Sequence, residues 1–346
     1  MDWRSKIRRW LIAGTLCLLA STPALGAMEL ISFSTDGFRL AGTLQLPATE
    51  GPHPVVIMVH GDGEHTRSDW GHYAPLAERF LRAGYAVFSW DSPGVRGSTG
   101  AFGHDERFRQ RTDILLAAVA RMKEHSSIDS TRIGCWGISQ AGYIMTLALR
   151  ETDDISFLVM VGCPAANTYA QGAYLGGQLA VCAGYSEEEG RQLEAWSLAM
   201  DSATTYETYL ANATPMSESS ILHELGIFVP VIPEDEWQPD PRDRWTLFNP
   251  ADVLKSTTIP VLALFGALDR QVDPIQGASA FRAALEEAGN TNYQIEVIPG
   301  ADHGIVLSET GCLTEIRGRS SAEALMYAPE YLDLVELWLT ECPAGS

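Results

Sequence analysis

Three polar residues, each of which follows a predicted strand, could together form a catalytic unit of nucleophile, base and acid. Ser139 lies between the strand-like run Arg132–Trp136 and a helical pattern, and Asp269 and His303 follow two later apolar runs. A serine hydroxyl is a weak nucleophile at neutral pH, so it needs a base within hydrogen-bond reach and an acid that orients the base. These three side chains supply a nucleophile, an acid and a base.

The residues around the serine favour a tight turn between a strand and a helix. The stretch Gly137–Gly142 contains mainly small residues, which let the backbone pass close to neighbouring segments. The start of a helix also offers N–H groups and a favourable dipole to a developing negative charge. The turn therefore suits a serine that attacks a carbonyl group.

The segments that would position these residues alternate between strands and helices. Apolar runs predict the strands, and apolar residues at helical spacing predict the helices. We expect strands over Glu29–Ser34, Arg39–Leu46, Pro54–His60, Tyr85–Asp91, Arg132–Trp136, Phe157–Val161, Ile259–Phe265 and Gln294–Ile298, and helices over Tyr73–Ala83, Phe108–Lys123, Gln140–Arg150, Pro274–Ala288 and Ala322–Glu341. This order predicts an α/β fold with a mostly parallel, doubly wound sheet.

The alternation stops between residues 165 and 250. That segment has helical stretches near Glu187–Met200 and Thr204–Ala211 and ends in a loop with several prolines. We therefore predict a core formed by 27–164 and 251–346, with 165–250 inserted as a helical cap. In open parallel sheets the ligand binds at the carboxyl edge, so the cap is expected to cover that edge.

The turn around the serine resembles the nucleophile elbow of the α/β-hydrolase superfamily, whose pattern is Gly-x-Ser-x-Gly. Here Ala141 takes the last position and Gly142 follows it. Residues 266–272 resemble the acid loop Gly-x-x-Asp-x-x-Val of that family, and residues 299–304 resemble its histidine loop. The resemblance covers essentially the whole mature chain and implies the α/β-hydrolase fold.

The same resemblance assigns roles to the three residues of the catalytic unit. It implies that Ser139 is the nucleophile, His303 the base and Asp269 the acid. Asp273 and Asp302 are alternatives for the acid, and we favour Asp269 because it comes first after its strand.

The resemblance also implies two backbone donors for an oxyanion. One is the N–H of Gln140, the residue after the nucleophile. The other is the N–H of Asp62, because His60-Gly61-Asp62 resembles the His-Gly-x loop of the family. We expect His60 itself to hold loop backbone rather than transfer protons.

The next loop, residues 63–70, resembles one found in a bacterial branch with carboxylesterases and prolyl-oligopeptidase-like proteins. Arg67 and Asp69 in this loop could form a structural ion pair. We do not expect either residue to take part in the chemistry.

A carboxylesterase that cleaves small to medium acyl esters fits these features, because the predicted cap is apolar and contains Tyr and Trp. An aminopeptidase-like serine peptidase acting on short peptides is the alternative, and a non-catalytic binding protein on the same scaffold is a further one. Acidic cap residues could bind a substrate ammonium group: Glu187, Glu188, Glu189, Glu234, Asp235 and Glu236. No metal or organic cofactor is implied.

The first 26 residues have the pattern of a secretory signal peptide. Four basic residues precede the apolar run Trp10–Ala20, and small residues follow it. We expect cleavage between Gly26 and Ala27 and a periplasmic or secreted mature protein. The apolar run is well short of the roughly 20 residues that span a bilayer, so we expect no stable membrane anchor.

The net charge of the chain excludes one class of binding partner. The formal net charge is −20, and removing 1–26 would make it more negative. Such a charge repels phosphate backbones, so we expect no nucleic-acid partner.

The cysteines have two expected roles. Cys135 and Cys163 lie in strand-like runs and are expected to be buried, whereas Cys312 and Cys342 could pair in an oxidising compartment.

Overall fold

The computed structural model describes residues 26–35, 37–102, 107–239 and 248–341. The predicted signal peptide lies outside the described residues except for Gly26. The strands are β1 Met28–Thr35, β2 Phe38–Gln45, β3 His53–Val59, β4 Ala86–Trp90, β5 Ile128–Ile138, β6 Phe157–Val161, β7 Val261–Gly266 and β8 Tyr293–Ile298. The α-helices are α1 Ala74–Arg82, α2 Arg107–Lys123, α3 Ala141–Leu149, α4 Thr168–Cys182, α5 Glu187–Asp201, α6 Tyr206–Ser217, α7 Ser220–Glu224, α8 Pro250–Leu254, α9 Pro274–Glu287, α10 Leu313–Gly318 and α11 Pro329–Glu341.

All eight strands form one sheet in the order β1-β2-β4-β3-β5-β6-β7-β8. The first two strands run antiparallel to each other, and β2 is antiparallel to β4. The remaining neighbours are parallel. Strands β3, β6 and β7 are buried at every residue, as their continuous apolar sequences require. The predicted α/β fold with a mostly parallel sheet is confirmed.

Helices cover both faces of this sheet. One apolar cluster joins the sheet to α2, α3 and α9 through residues such as Leu115, Ile144 and Phe281. A second cluster on the opposite face joins it to α1 and α11 through residues such as Phe80 and Val335. The sheet is therefore doubly wound, and its carboxyl edge is left for the loops that follow the parallel strands.

Outside the predicted cap, two of the predicted elements differ from the structure by more than two residues. Strand β5 is longer than Arg132–Trp136 and extends to Ile138, next to the serine turn. The last predicted helix, Ala322–Glu341, is instead a short 3₁₀ helix at Glu323–Leu325 followed by α11. Helix α11 begins at its own proline, which lacks an N–H and suits the first turn of a helix.

Helices α4 to α7 lie between β6 and β7, within the segment predicted as a cap. Helices α5 and α6 match the two predicted helical stretches, and α4 and α7 are additional. Two small apolar clusters, around Leu193 and Tyr209, pack these helices together apart from the core of the sheet. The limits of 165–250 as a separate cap remain a prediction.

One disulfide joins Cys182 to Cys312, with an S–S distance of 2.08 Å. A pairing of Cys312 with Cys342 is therefore wrong, because Cys312 is bonded to the end of α4; Cys342 itself lies outside the described residues. Cys135 and Cys163 are free and fully buried, as predicted. Among the described ranges, no helix combines the length and apolar character needed to span a membrane.

Candidate active site

Ser139 occupies a strained turn between β5 and α3. Its φ angle is 58°, in the left-handed region that a residue with a side chain rarely adopts. The turn is held by two backbone bonds, from Ser139 N–H to the Val161 carbonyl at 2.9 Å and from Gly142 N–H to the Ser139 carbonyl at 2.9 Å. This is the strand–turn–helix geometry that projects a serine above the edge of a sheet.

The alanine that replaces the last glycine of the elbow pattern is fully buried at the start of α3. One residue later, α3 also packs closely against Cys163, which follows β6. A methyl group built on Gly142 would lie 2.7 Å from the Cβ of Cys163, which is too close for real atoms. A side chain would therefore not fit at Gly142, whereas the methyl group of Ala141 is accommodated because it faces Gly137, where an added methyl group would lie 2.6 Å from it.

Asp269 and His303 are in direct contact beneath the surface. His303 Nδ1 donates to Asp269 Oδ2 at 2.8 Å, and both residues are buried. The other carboxylate oxygen, Asp269 Oδ1, accepts from the N–H groups of Gln271 and Val272 at 2.8 and 2.9 Å. This arrangement fixes the carboxylate and leaves the Nε2 atom of His303 as the nitrogen that can accept a proton.

The alternative acids have other partners. Asp302 Oδ1 accepts from the N–H groups of Gly304 and Val306, and Asp302 Oδ2 pairs with Arg319. Asp273 caps α9 by accepting from the first N–H groups of that helix. The carboxylate next to His303 is therefore that of Asp269, while the other two shape the loops around it.

Two opposing effects act on the pKa of His303. Burial lowers it, since a charged imidazole loses its hydration. The charge of Asp269 and its hydrogen bond outweigh burial, and the pKa is raised above its usual value of 6.5. A base with a raised pKa accepts a proton readily, but it must be neutral before it can do so.

The serine turn and the histidine ring both lie next to the end of β6. Ser139 is bonded to the carbonyl of Val161, the last residue of that strand. The next residue, Gly162, has φ 52°, and a methyl group built on it would lie 3.0 Å from His303 Nδ1. The structure thus brings Ser139, Asp269 and His303 to adjacent loops on one sheet edge.

The loop after β3 passes directly beside the serine. A methyl group built on Gly61 would lie 3.6 Å from the Cβ of Ser139. His65 holds this loop, because its Nε2 donates to the Asp62 carbonyl at 2.8 Å and its Nδ1 donates to Asp69 at 2.8 Å. Burial lowers the pKa of His65, but Asp69 outweighs burial and the net shift is upward.

The predicted pairing of Arg67 with Asp69 is wrong. Arg67 is bonded to Asp91, with Nη2 to Oδ2 at 2.6 Å, because Asp91 is fully buried at the end of β4 and directly faces the guanidinium. Asp69 is bonded to His65 instead.

His60 contacts backbone, but the carbonyl group that it contacts lies at the end of β4 and not in its own loop. Its Nε2 donates to the Trp90 carbonyl at 2.6 Å, and its Nδ1 lies 2.9 Å from the Tyr73 hydroxyl. Burial lowers the pKa of His60 to about 3, so the ring stays neutral and accepts from Tyr73.

One residue of the site that was not predicted from the sequence is Arg111, on helix α2. Arg111 is buried, and its guanidinium donates to the side-chain oxygen of Gln140 through Nη1 and to the carbonyl of His60 through Nη2. Its spacing from Phe108 and Leu115 places it on the apolar face of α2, and that spacing was the available signal.

Helix α4 contacts the loop that carries Asp269. The Tyr174 hydroxyl donates to the Asp269 carbonyl at 2.9 Å, and Gln171 donates to the Gln271 carbonyl. Arg270 donates to Gln178 of α4 at 2.6 Å. The inserted helices are therefore attached to the acid loop.

A cavity of about 560 Å³ lies next to His303. About half of the residues that line it are apolar or aromatic, such as Tyr73 and Leu76, and the others are polar or charged, such as His65, Gln271 and Arg319. This volume falls within the range of small-molecule sites. In the described part of the chain, no three His, Cys, Asp or Glu side chains are grouped so that they could hold a metal ion.

The sheet order, the serine turn and the buried His–Asp pair together define an α/β-hydrolase. The esterase Pf2001 of Pyrococcus furiosus has the same fold: it is 17% identical, the alignment covers 92% of this chain and 93% of that one, and the TM-score is 0.56. The acylaminoacyl peptidase of Pyrococcus horikoshii aligns with 100% of this chain and 44% of its own at 14% identity, with a TM-score of 0.53.

The chain belongs to the X-Pro dipeptidyl-peptidase (S15) family, whose sequence profile matches residues 36–303. It is a serine hydrolase of this esterase and peptidase group. It is also similar to the quorum-quenching protein AidA of Acinetobacter baumannii (strain MDR-ZJ06), at 28% identity over 134 residues, which are 39% of this chain and 43% of that protein. The chain thus aligns with less than half the length of this curated relative.

Proposed function

We propose that the protein hydrolyses carboxylic esters with small to medium acyl groups, through an acyl-enzyme on Ser139. The observation that carries this proposal is the buried 2.8 Å bond between His303 and Asp269 beside the strained turn of Ser139. Three groups in this arrangement can activate a hydroxyl for acyl transfer.

In the proposed reaction, the Ser139 oxygen attacks the ester carbonyl while His303 Nε2 takes the hydroxyl proton. The resulting oxyanion accepts hydrogen bonds from the N–H groups of Gln140 and Asp62. His303 then donates the proton to the leaving alcohol, and the acyl group stays on the serine oxygen. A water molecule, deprotonated by the same histidine, hydrolyses the acyl-enzyme and restores the serine.

The surroundings of the site support an ester in preference to a peptide. About half of the residues that line the cavity beside His303 are apolar or aromatic, and these groups suit an acyl chain. Three of the six acidic residues considered for binding a substrate ammonium group have other partners: Glu187 pairs with Arg270 at 3.1 Å, and Glu188 pairs with Arg191 at 2.8 Å. Glu189 caps its own helix.

A peptidase is the second candidate, because the family description names an X-Pro dipeptidyl-peptidase. This reaction uses the same serine, histidine and aspartate, with an amine as the leaving group. The two candidates differ in what the site must bind. An esterase must bind an alkyl or acyl chain, whereas an X-Pro dipeptidyl-peptidase must bind a proline preceded by one residue with a free amino group.

Two measurements test the proposal. A fluorophosphonate probe should label the wild type and fail to label Ser139→Ala, whereas a non-catalytic binding protein would not be labelled at this serine. A series of p-nitrophenyl esters from acetate to octanoate should then be hydrolysed with a kcat/KM well above that of aminoacyl and Xaa-Pro p-nitroanilides. A preference for the anilides would replace the esterase by the peptidase.

We also propose that the protein is exported to the periplasm or secreted after cleavage between Gly26 and Ala27. The signal-peptide pattern of the first 26 residues supports export, and so does the Cys182–Cys312 disulfide, since such bonds persist in oxidising compartments. Expression of the full chain, followed by cell fractionation and N-terminal sequencing, should give an extracytoplasmic protein that begins at Ala27. A cytoplasmic protein with an intact N-terminus would contradict export.

A further inference from the structure

We propose that Arg111 is a positioning residue that sets the distance between the two halves of the oxyanion hole. This inference rests on the proposed function, because the N–H groups of Gln140 and Asp62 are assigned to the oxyanion there. Arg111 is placed in neither the catalytic unit nor the hole itself.

Arg111 reaches both halves of the site from helix α2. Its side chain is directed inward, with only 7% of the residue exposed. Nη1 donates to Oε1 of Gln140, and Nη2 donates to the carbonyl oxygen of His60. One guanidinium therefore contacts two segments that lie 80 residues apart in the sequence.

Each of these two acceptors is next to a proposed oxyanion donor. Gln140 directly follows Ser139, and its own N–H is one donor. His60 directly follows β3 and precedes the turn that carries the other donor, the N–H of Asp62. Strands β3 and β5 are parallel neighbours, with Val59 opposite Gly137. Arg111 thus connects the loops that leave two adjacent strands on the same edge.

The guanidinium suits this task because it is planar and rigid. Its two terminal nitrogens are separated by a fixed distance, so two acceptors bonded to them are held at a fixed spacing. A lysine ammonium could contact one acceptor but would not hold both in one geometry. A displacement of about 1 Å in a catalytic group can cost on the order of 100-fold in rate, so the spacing of the two donors matters.

The loop after β3 is otherwise anchored on its own side of the site. His60 is held by Tyr73 and Trp90, and Asp62 is held by His65. These contacts fix the loop to the end of β4 and to the segment before α1. The bond through Arg111 joins that loop to the serine turn, so it couples the two donors.

The test compares Arg111→Met and Arg111→Lys with a matched control, Arg109→Met. Arg109 lies on the same helix but is bonded to Asp113 and Glu151, with Nε to Asp113 Oδ2 at 3.0 Å and Nη1 to Glu151 at 2.6 Å. We expect Arg111→Met to lower kcat by about 10–100-fold with KM within about threefold of wild type. The kcat of Arg111→Lys should lie between those of Arg111→Met and the wild type. Arg109→Met should keep the wild-type kcat.

A ligand comparison separates positioning from a general structural role. The serine oxygen adds to the carbonyl of an alkyl trifluoromethyl ketone, the serine hydroxyl proton goes to the histidine, and the former carbonyl oxygen becomes an oxyanion in the hole. The affinity of the ketone should fall in Arg111→Met by the same factor as kcat/KM. The affinity of a non-electrophilic alcohol of equal chain length should stay within about threefold of wild type, because it forms no oxyanion.

A double-variant cycle gives a second readout. Gln140→Leu removes the hydrogen bond between Arg111 and the side chain of residue 140 but keeps the backbone N–H. It should therefore lower kcat less than Arg111→Met does. Adding Gln140→Leu to Arg111→Met should cause little further loss, because the contact is already broken.

Three results would overturn the inference: a folded Arg111→Met with wild-type kcat, equal weakening of the ketone and the alcohol, or full recovery in Arg111→Lys. Failure of the proposed function looks different. In that case the wild type itself would show no labelling at Ser139 and no turnover of esters or anilides, and the inference would fail with it.

Discussion

Cys182, the last residue of helix α4, is bonded to Cys312, which lies nine residues after His303 in the chain. The same helix donates from Tyr174 to the carbonyl of Asp269. The inserted helices are thus tied covalently to the segment after the histidine and by a hydrogen bond to the acid loop. The disulfide and this hydrogen bond hold the two loops of the His–Asp pair against one helix.

Reduction of this disulfide should lower the stability of the protein. The bond closes a chain segment with a sequence separation of 130, so breaking it frees many conformations of the unfolded chain. We expect the free energy of unfolding to fall by about 2–5 kcal/mol, measured by urea titration with and without reductant. The double variant Cys182→Ala/Cys312→Ala should show the same loss and no response to reductant. An unchanged urea midpoint after complete reduction would contradict this prediction.

The sheet could be predicted from the sequence because its strands are continuous apolar runs bounded by polar or small residues. Strand β6, Phe157–Val161, has the predicted limits, and every residue in it is buried. The positions of Ser139, Asp269 and His303 follow from the same feature. Residues directly after parallel strands must meet at one edge, and the structure places all three there. Their roles in catalysis remain predictions.

Helix α4 was missed because its sequence carries no clear helical stripe. Three glycines interrupt it, at positions 172, 176 and 177, and glycine weakens the helical preference of a segment. Its asparagine cap, Asn167, accepts from Ala170 N–H at 3.0 Å and marks the start. Without α4 in place, the partner of Cys312 could not be identified, because a disulfide depends on which ends of the fold meet.

Side-chain contacts between segments far apart in the sequence could not be predicted either. Arg67 was expected to pair with a neighbour in its own loop, but it is bonded to Asp91 across the sheet edge. Arg111 likewise contacts residues 29 and 51 positions away. Local patterns show that a charged residue is present, whereas its partner depends on how the strands are ordered.

Asp269→Asn tests the proposed orientation of His303. The amide can donate as well as accept, so it no longer stabilises the protonated ring or selects its Nδ1–H form. We expect kcat to fall on the order of 10³–10⁴-fold, with KM changed little, when measured with a p-nitrophenyl ester. Asp273→Asn is the matched control, because asparagine caps a helix as well as aspartate does and Asp273 does not contact His303. Comparable losses in both variants would argue against a special role for Asp269.

The pH dependence of the reaction should follow the protonation of His303. Its pKa is raised above 6.5, and only the neutral ring can accept the serine proton. We therefore expect kcat/KM to be low in acid and to rise with pH through an apparent pKa above 6.5.

His65 has a raised pKa as well, so His65→Gln serves as a control. This variant can change the maximum value of kcat/KM, but it should not change the apparent pKa of the rise. An apparent pKa below 6.5 for the rise of kcat/KM in the wild type would contradict the assignment of His303 as the base.

Gly162→Ala should displace His303. A methyl group at this position would lie 3.0 Å from both Nδ1 and the carbonyl oxygen of His303, closer than such contacts normally are, so the histidine must shift. We expect kcat to fall by about 10–100-fold, because the base then moves away from the serine turn. Gly289→Ala is the control for backbone strain: its φ is +68°, comparable to the +52° of Gly162, and an added methyl group has no neighbour within 4 Å. Both variants should lose about 1–2 kcal/mol of stability from the left-handed backbone, but only Gly162→Ala should lose activity. Equal kcat values in the two variants, with both proteins folded, would mean that His303 tolerates the displacement or is not the base.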